Sequence, residues 1–451
     1  MMFKTLRIGG IHPEENKITA EIETCVAELP QQAFFPLSQH IGAPAVPIVK
    51  RGDKVKVGTK IAEAGGPVSA PVHSSVSGTV TKIGTIIDAT GYNKPVIIIK
   101  TEGDEWEESI DRSDALETLD GHDGLTPEYI ITRIRDAGIT GMGGAGFPTY
   151  VKLTPPSTSK IDCVIINAVE CEPYITSDYR LMMEHADEIL VGVKLVLMAV
   201  SAPVAYIGIE RNKPAAIRLF QEKTIGERSI KIVPLEQKYP QGGEKQLIDA
   251  VIRRQVPDPP AIPANVGTVV VNVGTAFAVY QAVMKNKPLF ERYTSVSGKH
   301  ISQPKNFLVR MGTPISQLID ACGGLPDGVN KIIAGGPMMG KALMTTGVPV
   351  CKGTNSITVL SGKEAVRDGA IGPCIRCAKC VGVCPMGLEP YILATSSAAH
   401  NWEMAEEHFI TSCIECGSCQ YTCPANRPML DNIRFGKSKV MTIIRARKQK
   451  S

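Results

Sequence analysis

Eight of the thirteen cysteines in this 451-residue chain lie in two short runs towards its C-terminal end. Cys374-Ile-Arg-Cys377-Ala-Lys-Cys380-Val-Gly-Val-Cys384-Pro385 and Cys413-Ile-Glu-Cys416-Gly-Ser-Cys419-Gln-Tyr-Thr-Cys423-Pro424 both read C-x2-C-x2-C-x3-C-P. Thiolates three residues apart on a tight loop can wrap three corners of one iron–sulfur cubane, while the fourth cysteine points away towards a second cluster. Cys374, Cys377, Cys380 and Cys423 are therefore assigned to one 4Fe-4S cluster, and Cys413, Cys416, Cys419 and Cys384 to the other. A pair of zinc sites is the competing account. Zinc, however, usually takes two C-x2-C pairs from separate knuckles, without the trailing Cys-Pro.

Disulfides are disfavoured, because the clustered cysteines sit in a large chain with no secretory leader in view. Met1 to Arg7 is followed by Gly, His and Pro where an apolar core would be needed. The longest apolar stretch, 189–209, is interrupted by Lys194 and Pro203, so it reads as an amphipathic helix followed by a buried strand and not as a membrane span. A net charge of +4 is too dilute for a nucleic-acid partner. The one basic concentration, from Lys437 to Lys450, reads as a solvated end, or as a patch for an acidic partner or anionic lipid. Abundant Gly (42) and Pro (32) with only 5% aromatics favour several small α/β and β modules over a helical bundle. The segment 389–409 has helical periodicity, so the cysteine region resembles the α-helical ferredoxin type, with helices that shield the clusters.

A second feature is the loop Gly141-Met-Gly143-Gly144-Ala-Gly146-Phe147-Pro148-Thr149, preceded by a helix ending at Ala137-Gly138 and followed by Lys152. Glycines let backbone N–H groups approach a phosphate, and Lys152 adds a point charge. An ordinary glycine turn is the plainer alternative. The dinucleotide fingerprint is excluded, because Phe147-Pro148 occupies the position where its helix would start cleanly.

The loop resembles the FMN-binding loop of the flavoprotein subunit of respiratory complex I and of the C subunit of Rnf complexes, the ion-translocating ferredoxin:NAD oxidoreductases. Three further segments match in order: Asn167-Ala-Val-Glu170-Cys171-Glu172-Pro173, Tyr239-Pro-Gln-Gly242-Gly243-Glu244-Lys245, and Asn272-Val-Gly274-Thr275. The resemblance implies that backbone amides and Lys152 take the FMN phosphate, and that Asn167, Asn272 and Thr275 bond ribityl or ring atoms. It further implies that Tyr239 and Glu244, with Gly242 in the same cofactor-binding segment, line the flavin cleft, that Glu170, Glu172 and Glu244 order the nicotinamide end of NAD(H), and that Phe147 stacks on its adenine. Val169, Gly243 and Lys245 depart from the complex I pattern.

The β-branched runs between 37 and 100, broken by Gly and Pro, predict a small all-β unit. It resembles a lipoyl-like barrel-sandwich without a carrier lysine, its hairpin tip being Glu63-Ala-Gly-Gly66-Pro67. His12, His40 and His73 read as structural or exposed. Residues 293–325 predict strand, turn, strand and helix, resembling the β-grasp (SLBB-type) domain of the same flavoproteins. Cys25, Cys163, Cys322 and Cys351 read as small buried residues, and Cys171 as a cleft-lining residue.

The expected fold is thus multidomain α/β plus α+β. It comprises an N-terminal segment and barrel-sandwich domain (1–110), a Rossmann-like FMN/NADH-binding domain (111–290), a β-grasp domain (291–355), an α-helical ferredoxin-like two-cluster domain (356–440) and a basic tail (441–451). The order resembles the Rnf C subunit over almost the whole chain. That implies hydride exchange between NAD(H) and FMN, then one-electron transfer through two 4Fe-4S clusters. The implied partners are the other subunits of a membrane complex, a ferredoxin-like iron–sulfur subunit among them, at the cytoplasmic face of the bacterial membrane. Two alternatives stand beside this reading: a microcompartment cobalamin reductase, which typically begins close to the glycine loop, and a non-catalytic iron–sulfur docking scaffold.

Overall fold

In a computed structural model, residues 3–365 and 369–450 are described. Four hydrogen-bonded sheets and a helical C-terminal region make up the chain. Among the described residues, no helix is long and apolar enough to cross a membrane.

The first module packs an antiparallel sheet of Gln32–Pro36, Asn93–Gly103, Ser77–Ile87 and Lys54–Val55 against the three short strands Val46–Pro47, Lys60–Glu63 and Val72–His73. Alternation directs Ala33, Phe35, Val80, Ile97 and Ile99 into one apolar core with Ile61. His73 is buried here, and burial pushes its imidazole down to about 3, so it is neutral.

The second module is a parallel sheet in the order Ile230–Leu235, Ala205–Glu210, Cys163–Ala168 and Thr268–Asn272. The strands Cys163–Ala168 and Thr268–Asn272 are mostly Val and Ile and almost wholly buried, as burial on both faces requires, whereas the edge strand Ile230–Leu235 exposes Lys231. The apolar stretch expected over 189–209 is resolved as the helix Ala186–Ala199 and the strand Ala205–Glu210. The helix is buried on most of its circumference and not only along one stripe.

The third module is a six-stranded mixed sheet ordered Thr24–Val26, Lys305–Arg310, Glu291–Ser297, Ser356–Ser361, Val329–Ala334 and Lys341–Ala342, with the helix Ile315–Asp320 packed on it. The expected boundary after 355 does not hold. Ser356–Ser361 is fully buried and pairs in parallel with Glu291–Ser297, so it belongs to the middle of this sheet. Thr24–Val26, expected with the first module, forms its edge.

The last module consists of helices Lys379–Gly382, Pro390–Ala398, Trp402–Glu407, Ser418–Tyr421 and Met429–Lys450 around Leu393, Ala394, Ala405, Ile410, Ile433 and Val440. The 389–409 segment breaks into two helices at His400, where the backbone is left-handed and Asn401 then caps the second. No separate tail begins at 441, since Met429–Lys450 is one 22-residue helix and Arg447 pairs with Glu406 at 2.9 Å.

Candidate functional site

In the parallel sheet the chain runs outward from Cys163–Ala168 through two strands, then returns to that strand's other side with Thr268–Asn272. Strand order reverses there, and a crevice opens at the carboxyl ends of these two strands. Asn167 and Asn272 lie side by side at its floor as register partners on adjacent strands.

The glycine loop lies on this crevice. It is closed by Gly141 N–H donating to Phe147 O (2.8 Å) and Gly146 N–H donating to Gly141 O (3.2 Å). A Cβ on Gly143 would sit 3.4 Å from Asn272 Cβ, and Gly144 has φ +108° with open space above it. Gly143, Gly144 and Ala145 are exposed, and among the described residues their amides have no intramolecular acceptor. Three successive outward N–H groups form a concavity suited to an anion, so the chain fits the phosphate end of a flavin. Contrary to expectation a helical turn, Thr149–Lys152, does start directly after Pro148, whose fixed φ suits that position.

The other predicted residues converge on the crevice but are engaged differently from what the resemblance implies. Lys152 does not point at the loop: its ammonium donates to Glu244 Oε1 (2.6 Å) and Val270 O (3.0 Å), which also occupies Glu244. Asn272 caps the helix Val273–Met284 by accepting from Gly274 and Thr275 N–H, and its amide donates to Asp178 Oδ2 at 2.7 Å. The Thr275 hydroxyl accepts from Met142 N–H (2.9 Å) and so holds the loop. Asn167 donates to Gly242 O at 2.8 Å. Glu170 has left-handed backbone and accepts from the amides of Asp178 and Tyr179 at a helix start. Glu172 accepts from Met338 and Met339 N–H at 3.0 and 2.8 Å. Burial raises both carboxyls to about 7. Phe147 is half-buried.

Tyr239 departs furthest from expectation. Its backbone pairs with Ile11, its side chain is 1% exposed, and its hydroxyl donates to Cys416 O at 2.8 Å. It therefore joins the crevice module to the cysteine module. Cys171 is half-buried beside Gly242, and desolvation pushes its thiol up to about 12, which leaves it inert as a nucleophile. Cys25, expected inside, is exposed because its strand is a sheet edge.

The eight clustered cysteines surround two cavities. Cys384, Cys413, Cys416 and Cys419 line a small one of about 20 Å³, together with Met386, Leu388, Leu393, Leu430 and Ile433. Cys374, Cys377, Cys380 and Cys423 line the other, of about 390 Å³, with Arg376, Lys379, Tyr391 and Arg427. Each set is the one that the motif assigned to one cluster, its fourth member coming from the opposite run. The four thiols line each cavity without meeting at a point. Among the described residues no three His, Cys, Asp or Glu groups are placed to hold a single ion. The donor chemistry of each set fits a cubane.

Sequence reasoning missed Arg292, Asp178 and Lys213. Lys213 is 3% exposed and donates to Val169 O at 2.8 Å, beneath the strand end that carries Glu170. Arg292 is 2% exposed and donates to Met142 O at 2.6 Å from the neighbouring sheet. A charged residue inside a strand of otherwise buried Thr, Ser and Val was the available signal.

Four family models match the chain: the RnfC barrel sandwich hybrid domain over residues 6–104, the Nuo51 FMN-binding domain over 134–281, the SLBB domain over 293–342 and the 4Fe-4S dicluster domain over 366–424. The chain is 43% identical over 442 residues to the C subunit of the proton-translocating ferredoxin:NAD(+) oxidoreductase complex of Clostridium ljungdahlii, covering 97% of this chain and 94% of that one. It is 41% identical over 435 residues to the C subunit of the Na(+)-translocating ferredoxin:NAD(+) oxidoreductase complex of Acetobacterium woodii, covering 96% of each. The C subunit of the ion-translocating oxidoreductase complex of Rhodobacter capsulatus is 40% identical over 96% of this chain and 82% of its own length. With identity at this level along almost its entire length, the chain belongs to the family of C subunits of the ion-translocating ferredoxin:NAD(+) oxidoreductase complexes.

Proposed function

We propose that this chain is the peripheral subunit that exchanges hydride between NAD(H) and FMN, and passes single electrons through two 4Fe-4S clusters to or from partner subunits. One observation carries the reading. Gly242 O takes the Asn167 side chain at the crevice, and Tyr239, three residues earlier, reaches the carbonyl of Cys416 at the apolar cavity. Crevice and cavity are thus tied to opposite ends of a four-residue stretch, at most about 11 Å long when extended.

In this role the Gly143–Ala145 amides hold the phosphate, and Asn167, Asn272, Gly141, Gly146 and Thr275 shape the crevice around the rest of the flavin. Bound flavin supplies the change from two-electron hydride chemistry to one-electron transfer. Cys384, Cys413, Cys416 and Cys419 hold the cluster next to the crevice, and Cys374, Cys377, Cys380 and Cys423 hold the one at the surface. The rim of the latter, Arg376, Lys379, Arg427 and exposed Ile375, suits an acidic ferredoxin-like iron–sulfur subunit. Use of NAD(H) puts that face on the cytoplasmic side of the membrane. Glu170, Glu172 and Glu244 reach the nicotinamide only after giving up their present partners. That engagement favours a second reading, an iron–sulfur carrier with an empty flavin crevice.

Anaerobic isolation followed by flavin, iron and sulfide analysis and an NADH titration separates the two. The proposal expects FMN, about eight irons per chain and bleaching of the cluster absorbance by NADH. Iron and sulfide without FMN, and no NADH-dependent bleaching, select the carrier.

A further inference from the structure

Arg292 belongs to the strand Glu291–Ser297 of the six-stranded sheet, yet its side chain runs beneath the glycine loop of the neighbouring module. It is among the largest fully buried side chains of the protein. Its guanidinium donates to Met142 O (2.6 Å) and Thr354 O (3.2 Å). Met142 N–H is in turn held by the Thr275 hydroxyl (2.9 Å). The residue just before the exposed turn is thereby fixed at both of its backbone polar groups, from two different modules. That clamp determines where the amides of Gly143, Gly144 and Ala145 point.

The clamp also carries charge. Among the described residues no carboxylate is within ion-pairing distance of Arg292. Asp178 and Glu170 attract it from farther off, so its charge is balanced only in part. A buried guanidinium with no carboxylate in direct contact is costly, and an anion bound on the loop above it reduces that cost. The nearby helix terminus at Val273 does not compete for this role, because the Asn272 side chain already takes the Gly274 and Thr275 amides.

We propose that Arg292 is the positioning residue that makes the crevice select a phosphorylated flavin, FMN, over riboflavin, by holding Met142 and placing an unpaired positive charge beneath the Gly143–Ala145 amides. The inference rests on the flavin reading above and adds to it a residue outside all four flavin-like segments.

The test uses the full chain with its clusters in place, freed of flavin, and titrates FMN and riboflavin separately by fluorescence quenching. For Arg292→Met the FMN dissociation constant is expected to rise on the order of tenfold or more, the worth of a charge-assisted contact, while riboflavin binding changes little and cluster absorbance stays intact. Thr275→Val, which releases the other side of Met142, is expected to shift the preference in the same direction by a smaller factor. If Arg292→Met fails to retain its clusters, Arg292→Lys decides: it keeps the charge but not the fork that reaches two carbonyls, and a severalfold loss of preference is expected. An unchanged FMN-to-riboflavin ratio in the folded variant, or equal losses for both flavins, overturns the proposal. Failure of the unaltered chain to bind either flavin overturns instead the reading on which it rests.

Discussion

The two cysteine runs have the same spacing, yet their cavities differ in almost every physical respect. The inner one is small and apolar, with Cys416 and Cys419 only 7% and 9% exposed. The outer one is open, with Cys374 and Cys377 exposed and a rim of Arg376, Lys379 and Arg427. Their thiols respond accordingly. Burial pushes Cys413 up to about 11. Cys374 is drawn below the usual thiol range, chiefly by the Arg376 N–H and further by Arg427. Spacing thus specifies that a cubane can form, while surroundings specify what it can do: relay inside, exchange at the surface.

Removing one thiol from each cavity gives the largest expected contrast. Cys416→Ala and Cys377→Ala should each lower iron from about eight to about four per chain. Only the Cys416 variant should lose NADH-driven reduction of the cluster that remains. If the Cys377 variant loses it instead, the order of the two cavities is reversed. Chelation under air is the next test: the outer cluster's electron-paramagnetic signal should vanish before the inner one weakens, and simultaneous loss would show that both are equally accessible. Arg376→Glu, by replacing rim cation with anion, should lower the outer cluster's potential by tens of millivolts and leave the inner one in place. A spectroelectrochemical titration with the two signals shifting together would remove the electrical distinction. The smallest effect is expected of Tyr239→Phe, which leaves the Cys416 carbonyl without its donor. It should cost about 1–2 kcal/mol of stability in denaturant titrations and perturb only the inner signal.

Much of this was legible in the chain because the information was local. The C-x2-C-x2-C-x3-C-P runs carry their own geometry, and the glycine loop carries its backbone freedom. Partners supplied from far away were not legible. Tyr239 meets Cys416 across 177 residues and Glu172 meets Met338 across 166, so side chains that read as cleft-lining were recruited to join modules. Lys152, read as a phosphate ligand, sits one helical turn beyond the loop, and Glu244 was the nearer countercharge. Ser356–Ser361 was placed with the cysteine module by position along the chain, although its β-branched centre, Ile357-Thr358-Val359, already matched a buried strand.

The segment from Lys4 to Ile11 has a consequence for biosynthesis. Lys4 pairs with Leu235, Ile11 with Tyr239, and Gly10 N–H donates to Val383 O. Gly9 lies so close to the Cys384 carbonyl that a Cβ there would come within 2.5 Å of it. On a ribosome this stretch emerges hundreds of residues before either surface it rests on: it can pair with Leu235 and Tyr239 once they are made, but its seat is completed only when the cysteine loop follows. It is made early and seated late, so a bulky fusion or a proline inserted among these residues should trap nascent protein with its metal-binding end unlatched.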